Sequence, residues 1–185
     1  MLYISKGTVK SGSTNKALTV NLRGAEYDLS GDHAALWLAG QFGPRECFLQ
    51  PAALNELINL GLVEATGESG ALGHYRLLTR CIIVPSRLKI FRQPIVRSER
   101  QVWQWISNAG LRLTVAELIC LAQNQIEPLP RYLSETNRQN LVEAIYSAET
   151  IGDNILENLM ERSVMRNVTV EAVFGLLRKK RIILI

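Results

Sequence analysis

The side chains most able to bind a partner are cations, which are concentrated in two segments of the chain. Residues 85–112 carry a net charge of +5 and the last eight residues +4, whereas residues 113–177 carry −5 and residues 1–84 are neutral. Grouped Lys and Arg side chains can track the phosphates of a nucleic acid. A solvated charge run that pairs with the carboxylates of residues 113–177 is the alternative. The candidate contacts are Arg76, Arg80, Arg87, Lys89, Arg92, Arg97, Arg100, Arg178, Lys179, Lys180 and Arg181.

A glycine-rich stretch, GESGALGH (Gly67 to His74), has the composition of a phosphate-binding loop without its form. It lacks the G-x-x-x-x-G-K-S/T spacing, and the residues after it predict a strand, so no helix N-terminus would face an anion. It is also one residue short of the G-x-S-x-G nucleophile elbow. We therefore predict the tip of a wing or hairpin.

Histidines and cysteines are too few and too scattered to indicate a metal site or a catalytic centre. His33 and His74 have no Cys or carboxylate at ligand spacing. Cys47, Cys81 and Cys120 form no C-x-x-C pair and are typical of free, buried thiols in a reducing compartment. The sequence predicts no metal, no cofactor and no enzyme activity.

The length and composition are those of a folded chain. The 185 residues suffice for one medium domain or two small ones, and an apolar content of 47% supports a core. The N-terminus lacks the features of a signal peptide. No apolar run approaches the roughly 20 residues that span a bilayer. We expect a soluble, cytoplasmic protein with no membrane partner.

Strand and helix patterns alternate in the first half of the chain. ALTVNLRGAEYDL alternates apolar and polar residues on both sides of Arg23-Gly24, which predicts a β-hairpin. SGDHAALWLAGQ and PAALNELINL predict helices, the second capped by Gly61, and a short helix near residues 45–49 would complete a set of three. LVEA and HYRLLTRCIIVP then predict a two-stranded wing, with Arg76 and Arg80 on one strand face.

The second half begins with an irregular basic connector, residues 85–97, and is otherwise mainly helical. Thr114 and Glu117 form a capping box, and a last helix starts at Thr169 and runs into the strand-like RIILI. Trp105 is expected in the local core, whereas Trp103 is expected to dock against the first module or a second subunit, which leaves a homodimer open. Two helices in between are expected to bury Leu141, Val142, Ile145, Ile151, Ile155, Leu156, Leu159 and Met160.

One sequence pattern occurs twice. Leu54, Leu57 and Leu62-Val63 match Phe174, Leu177 and Ile182-Ile183 at a constant offset of 120. It resembles the end of the third helix and the entry to the wing in winged-helix proteins. Residues 17–84 resemble that family over nearly the whole module, and the second half resembles it only at its final helix and strand. The resemblance implies an α+β fold: a winged-helix-type N-terminal module (1–84), then a mainly helical C-terminal half (98–185) ending in a short strand.

The module departs from the DNA-binding winged-helix pattern. In such proteins the third helix enters the major groove and meets bases and phosphates. Here its exposed positions are Asn55, Glu56 and Asn59, and the wing tip carries Glu68, with no cation at either place. Nucleic acid would therefore be contacted by the wing strand, the connector and the C-terminal tail.

The stretch ALTVNLRGAEYDLSGDHAALWLAGQ is also similar to the start of PqqD-like peptide-recognition elements. The shared features are the alternating hairpin, the Leu29-Ser30 step and a helix that contains Leu36-Trp37. Those modules bind a leader peptide by adding it as a strand beside the hairpin. This resemblance implies a protein or peptide partner at the exposed hairpin edge.

The sequence therefore favours a non-enzymatic, winged-helix-type transcriptional regulator that contacts nucleic acid. A protein- or peptide-binding adaptor without nucleic acid is the first alternative. The second is a structural subunit of a larger assembly, in which a partner covers Trp103 and the RIILI segment.

Overall fold

The computed structural model describes residues 1–10, 17–86, 93–107, 111–133, 138–146 and 153–185. The chain forms two compact units, Met1–Cys81 with Ile183–Ile185, and Ile82–Ile182. Helices and antiparallel strands both occur, so the predicted α+β class is confirmed. The N-terminal module contains two three-stranded sheets, and the C-terminal half is mainly helical and ends in a short strand.

The described part of the first unit has antiparallel sheets in the orders β5-β1-β6 and β2-β3-β4. The strands are β1 (Leu2–Ser5), β2 (Thr8–Val9), β3 (Ala17–Leu22), β4 (Ala25–Ser30), β5 (Arg45–Glu46) and β6 (Val63–Thr66). The helices are α1 (Gly31–Gly40), α2 (Ala52–Asn59) and α3 (Gly70–Thr79).

The predicted hairpin is confirmed in β3 and β4, which pair from Leu22 and Ala25 at the turn to Ala17 and Ser30. Arg23 and Gly24 have φ values of 55° and 92°. A two-residue turn with both residues in the left-handed region matches the twist of the flanking strands. The alternation directs one set of side chains into the core: Leu18, Val20, Leu22 and Leu29.

Helix α1 is fastened to β1 through Trp37, which is fully buried. The Trp37 Nε1–H donates to the Lys6 carbonyl at 3.0 Å, and the Ser5 hydroxyl donates to the Trp37 carbonyl at 2.7 Å. A Cβ atom at Gly40 would lie 2.6 Å from Ser5 Oγ, so glycine is needed for this close approach. These contacts fix the helix against the sheet beside the hairpin.

The second strand of the predicted wing is not formed. Residues Gly70–Thr79 form α3, and the next strand begins only at Ile83. Tyr75 and Leu77 alternate as in a strand, but Leu78 is buried as well, and Tyr75 and Leu78 have the i, i+3 spacing of one helix face. The glycine-rich stretch therefore leads into a helix and not into the predicted strand, although it still lacks the phosphate-loop spacing.

A second local prediction was also wrong. The short helix expected near residues 45–49 is not formed, because Arg45–Glu46 form β5, which pairs antiparallel with Leu2 and Tyr3 of β1.

The second unit is mainly helical in its described part, where no helix is long and apolar enough to cross a membrane. Helix α4 packs on α9, and α5 packs on α7, α8 and α9. The predicted capping box is confirmed, because the Thr114 N–H donates to Glu117 Oε2 and the Glu117 N–H donates to Thr114 Oγ1. The elements are β7 (Ile83–Pro85), α4 (Arg97–Ile106), α5 (Val115–Gln123), α6 (Pro130–Leu133), α7 (Arg138–Ile145), α8 (Asp153–Glu161) and α9 (Arg166–Arg178). The last strand, β8 (Ile182–Leu184), begins in this unit, and its residues Ile183 and Leu184 belong to the first unit.

The apolar faces of α7 and α8 are narrower than predicted. Val142, Ile155 and Leu159 are about half exposed, at 48%, 49% and 48%. Among the side chains that the structure describes on these two helices, the buried ones form one i, i+4 pair on each helix. Those buried residues are Leu141, Ile145, Leu156 and Met160. Ile151 lies outside the described residues, and the last helix starts at Arg166, earlier than the predicted Thr169.

The two copies of the repeated pattern end in the same kind of helix cap, but the caps are 119 residues apart, at Gly61 and Lys180, whereas the matched residues are 120 apart. The Leu62 N–H donates to the Leu57 carbonyl, and Gly61 has a φ of 71°. At the end of α9 the Arg181 N–H donates to the Leu176 carbonyl, and Lys180 has a φ of 55°. Both are Schellman caps, which turn a helix into the following segment. The second cap holds Lys180 in the left-handed conformation that glycine favours, which costs about 1–2 kcal/mol for a residue with a Cβ atom.

Candidate functional site

The predicted cations fall into two sets, one in each unit. Arg76 and Arg80 belong to the first unit, and the others that the structure describes belong to the second. Three members of the connector, Arg87, Lys89 and Arg92, lie outside the described residues.

Arg76 and Arg80 share a side of α3 because they are four residues apart on a helix, and the predicted strand alternation does not apply. Both are exposed. Arg80 is the C-terminal cap residue of α3, and cations at this end of a helix interact favourably with its dipole. The pair is thus accessible to a partner and also has a structural role.

Lys179 is engaged in a buried ion pair. Its Nζ lies 2.5 Å from Glu99 Oε2, and the two side chains are only 16% and 6% exposed. The same carboxylate accepts the Val96 N–H at 3.0 Å, at the start of α4. Glycine at 175 on α9 makes room for it, since a Cβ atom there would lie 2.1 Å from Glu99 Oε1. Lys179 therefore holds α4 against α9.

Arg181 is also held internally. Its guanidinium carbon lies 5.3 Å from the centre of the Trp103 ring, within the range of a cation–π interaction. Its Nη2–H donates to the Gln93 carbonyl at 2.9 Å, and its Nε is buried without a hydrogen-bond partner in the structure. Trp103, predicted as an interface residue, is partly buried and packs with Arg181 within its own unit.

Arg178 is the accessible member of the tail, with its side chain 58% exposed. It lies 3.9 Å from Glu171, and a surface pair of this kind contributes less than about 1 kcal/mol. Lys180 is partly buried at the cap of α9, and Arg97 and Arg100 are exposed on α4. A nucleic acid would meet Arg97, Arg100 and Arg178 more readily than Lys179 or Arg181.

The hairpin presents a different kind of surface, because β4 is the last of the described strands in its sheet. The Lys10 N–H donates to the Thr19 carbonyl at 2.9 Å, so the Thr19 backbone faces β2. In an antiparallel ladder its cross-strand partner, Asp28, then directs its own N–H and carbonyl away from β3. The same holds for Glu26, which lies opposite Asn21. No backbone hydrogen bond joins these outward groups to another described residue.

The side chains along this edge are acidic on one face of the sheet. Asp28 accepts the Thr19 hydroxyl at 2.7 Å, and Glu26 pairs with Lys10 at 2.9 Å. Tyr27, on the opposite face, is partly buried against the core. The acidic character is already visible in the stretch AEYDLS, but only the sheet order shows that this strand lies at an edge.

Two of the three thiols, Cys81 and Cys120, are buried, and one histidine, His33, has a carboxylate partner. Burial raises the pKa of the Cys81 thiol to about 12, and burial also raises the pKa of Cys120. A thiol whose pKa is raised is a poor nucleophile at neutral pH. The fold brings His33 Nε2 to 2.7 Å from Glu56 Oε2, a contact that sequence spacing did not show. The described part of the chain holds no cluster of three or more metal-ligating side chains.

Comparison of the chain with family models, with curated proteins and with solved structures gives no match. The winged-helix and PqqD-like resemblances therefore stay predictions, and the function has to be argued from the site.

We predict that removing one partner of the buried pair destabilises the protein strongly. Lys179→Met should lower the free energy of unfolding by about 3–5 kcal/mol, because Glu99 stays buried without a counter-charge. Arg178→Met, the exposed neighbour, should change it by less than about 1 kcal/mol. Urea unfolding followed by tryptophan fluorescence measures both, and Glu99→Gln completes a double-mutant cycle. Equal effects at 179 and 178 would contradict the assignment.

Proposed function

We propose that the protein is a non-enzymatic binding module that takes an extended basic peptide along the edge of β4. The observation that carries the proposal is the row of outward backbone groups at Glu26 and Asp28, flanked by their carboxylates. An unpaired strand edge is a template for a further strand, and peptide recognition by strand addition uses such an edge.

The backbone and side chains at the β4 edge indicate which residues a bound peptide would have. Backbone hydrogen bonds supply affinity without regard to sequence, and side chains directly opposite one another share a sheet face. Peptide residues opposite Glu26 and Asp28 would therefore be Lys or Arg. The residue between them, opposite Tyr27, would be apolar or aromatic because Tyr27 packs against the core. The expected pattern is basic–apolar–basic.

The same carboxylates disfavour pairing of two copies of this edge. Like charges directly opposite each other destabilise a sheet, and charged side chains on edge strands are a common device against aggregation. Glu26 and Asp28 thus favour a cationic strand over a second β4.

We expect a labelled Lys-Val-Lys-Ile-Lys-Val peptide to bind, with affinity measured by fluorescence anisotropy. The matched Glu-Val-Glu-Ile-Glu-Val peptide should bind at least about tenfold more weakly, because its charges face carboxylates. Asp28→Lys should weaken binding of the basic peptide by about tenfold for the same reason. Asp28→Pro should abolish it, because proline removes an outward N–H while the β3–β4 bonds remain.

Asp32→Lys is the matched control, since Asp32 is exposed in the first turn of α1 and its N–H is not part of the edge. It makes the same charge change and should leave the affinity within about twofold at moderate salt. Binding of the basic peptide to Asp28→Pro as tightly as to the unaltered protein would refute strand addition at β4.

A second candidate is the regulator that contacts nucleic acid, and the accessible arginines support it. Arg76 and Arg80 are exposed one turn apart on α3, and Arg97, Arg100 and Arg178 are exposed in the second unit. Arginine pairs well with phosphate because its planar guanidinium donates two parallel hydrogen bonds. Lys179 and Arg181 would add little, since their internal contacts engage them.

For this candidate we expect random-sequence duplex DNA to bind at low salt and to dissociate steeply as salt rises. Arg76→Ala and Arg80→Ala together should lower the slope of log affinity against log salt by about 2. Arg112→Ala, an exposed arginine outside the predicted set, serves as the control. Neutralising Lys179 is avoided because it breaks the buried pair. Absence of binding at low salt rules the candidate out.

A further inference from the structure

A groove of about 620 Å³ lies in the second unit and is lined by residues of α4, of the first turn of α9 and of the end of α5. Its volume falls within the range of small-molecule sites. Its walls include Val96, Ala122, Met165 and Val168. Val96 and Val168 are 53% and 50% exposed, so a bound molecule would remove apolar surface from water.

The groove carries one sign of charge. Among the described residues that line it, Arg97 is charged and no Asp or Glu is present. No described carboxylate lies within ion-pair distance of the Arg97 guanidinium.

The wall that carries Arg97 is held in place before any ligand binds. The Glu99 carboxylate accepts the Val96 N–H at 3.0 Å and pairs with Lys179, so the start of α4 is tied to α9. Gln101, which also lines the groove, donates to the Ile126 carbonyl at 3.5 Å. A site formed in advance loses less affinity to ordering on binding.

We propose that this groove binds a small amphipathic carboxylate, a molecule with an apolar chain and one terminal carboxylate. The chain would lie along Val96 and Val168, and the carboxylate would pair with the Arg97 guanidinium. This inference goes beyond the proposed function, because the groove lies in the second unit and the β4 edge in the first.

The test is isothermal titration of decanoate below its micelle concentration, compared with decyltrimethylammonium, which has the same chain and the opposite charge. Decanoate should bind saturably at one site, and the cation should not. Arg97→Gln should weaken decanoate binding at least about tenfold, because it removes the charge-assisted pair. Arg100→Gln, on the same helix but outside the groove lining, should leave it unchanged.

Ala122→Trp should abolish decanoate binding by filling the groove. Equal affinity of decanoate for the unaltered protein and for Arg97→Gln would overturn the proposal, as would equal binding of the cationic surfactant. Loss of binding in Arg100→Gln to the same extent as in Arg97→Gln would also overturn it.

Discussion

The buried carboxylate of Glu99 is the interaction on which the second unit depends. It caps the start of α4 through the Val96 N–H, pairs with Lys179 and occupies the space that Gly175 leaves on α9. One side chain thus sets where α4 begins and how α4 packs on α9. It also places Val96 at the groove. Because Lys179 is paired with it, this lysine adds little to the exposed charge of the basic tail. A buried carboxylate without these partners would be strongly unfavourable, so loss of one contact should weaken the others as well.

The groups most available to a partner are those that the fold leaves unpaired. In the tail, Lys179 and Arg181 have partners, and their charge serves packing. Along β4 the backbone groups of Glu26 and Asp28 face outward, and at the groove the Arg97 guanidinium has no described counter-charge. A partner gains most affinity from unpaired groups that neighbouring contacts already hold in place. Binding then adds hydrogen bonds or charge pairs without reordering the protein.

The elements with strong local signals could be predicted from the sequence. Arg23-Gly24 marked the hairpin turn, Thr114 with Glu117 marked a helix start, and Gly61 marked a helix end. The α3 helix was not predicted because Tyr75 and Leu77 alternate as in a strand, and only the pair Tyr75 and Leu78 has the i, i+3 spacing of a helix face. The partner of Lys179 lies 80 residues away, and no local pattern records such a pairing. The open edge of β4 follows from the sheet order, which hairpin alternation alone does not determine.

Strand addition at β4 is tested most directly by residue-resolved amide hydrogen exchange with and without the basic peptide. Addition of a strand should slow exchange at Glu26 and Asp28, whose N–H groups face outward. Tyr27 and Leu29 should change little, because their N–H groups already face β3. Protection confined to another surface, such as α3, with Glu26 and Asp28 unchanged, would contradict the claim.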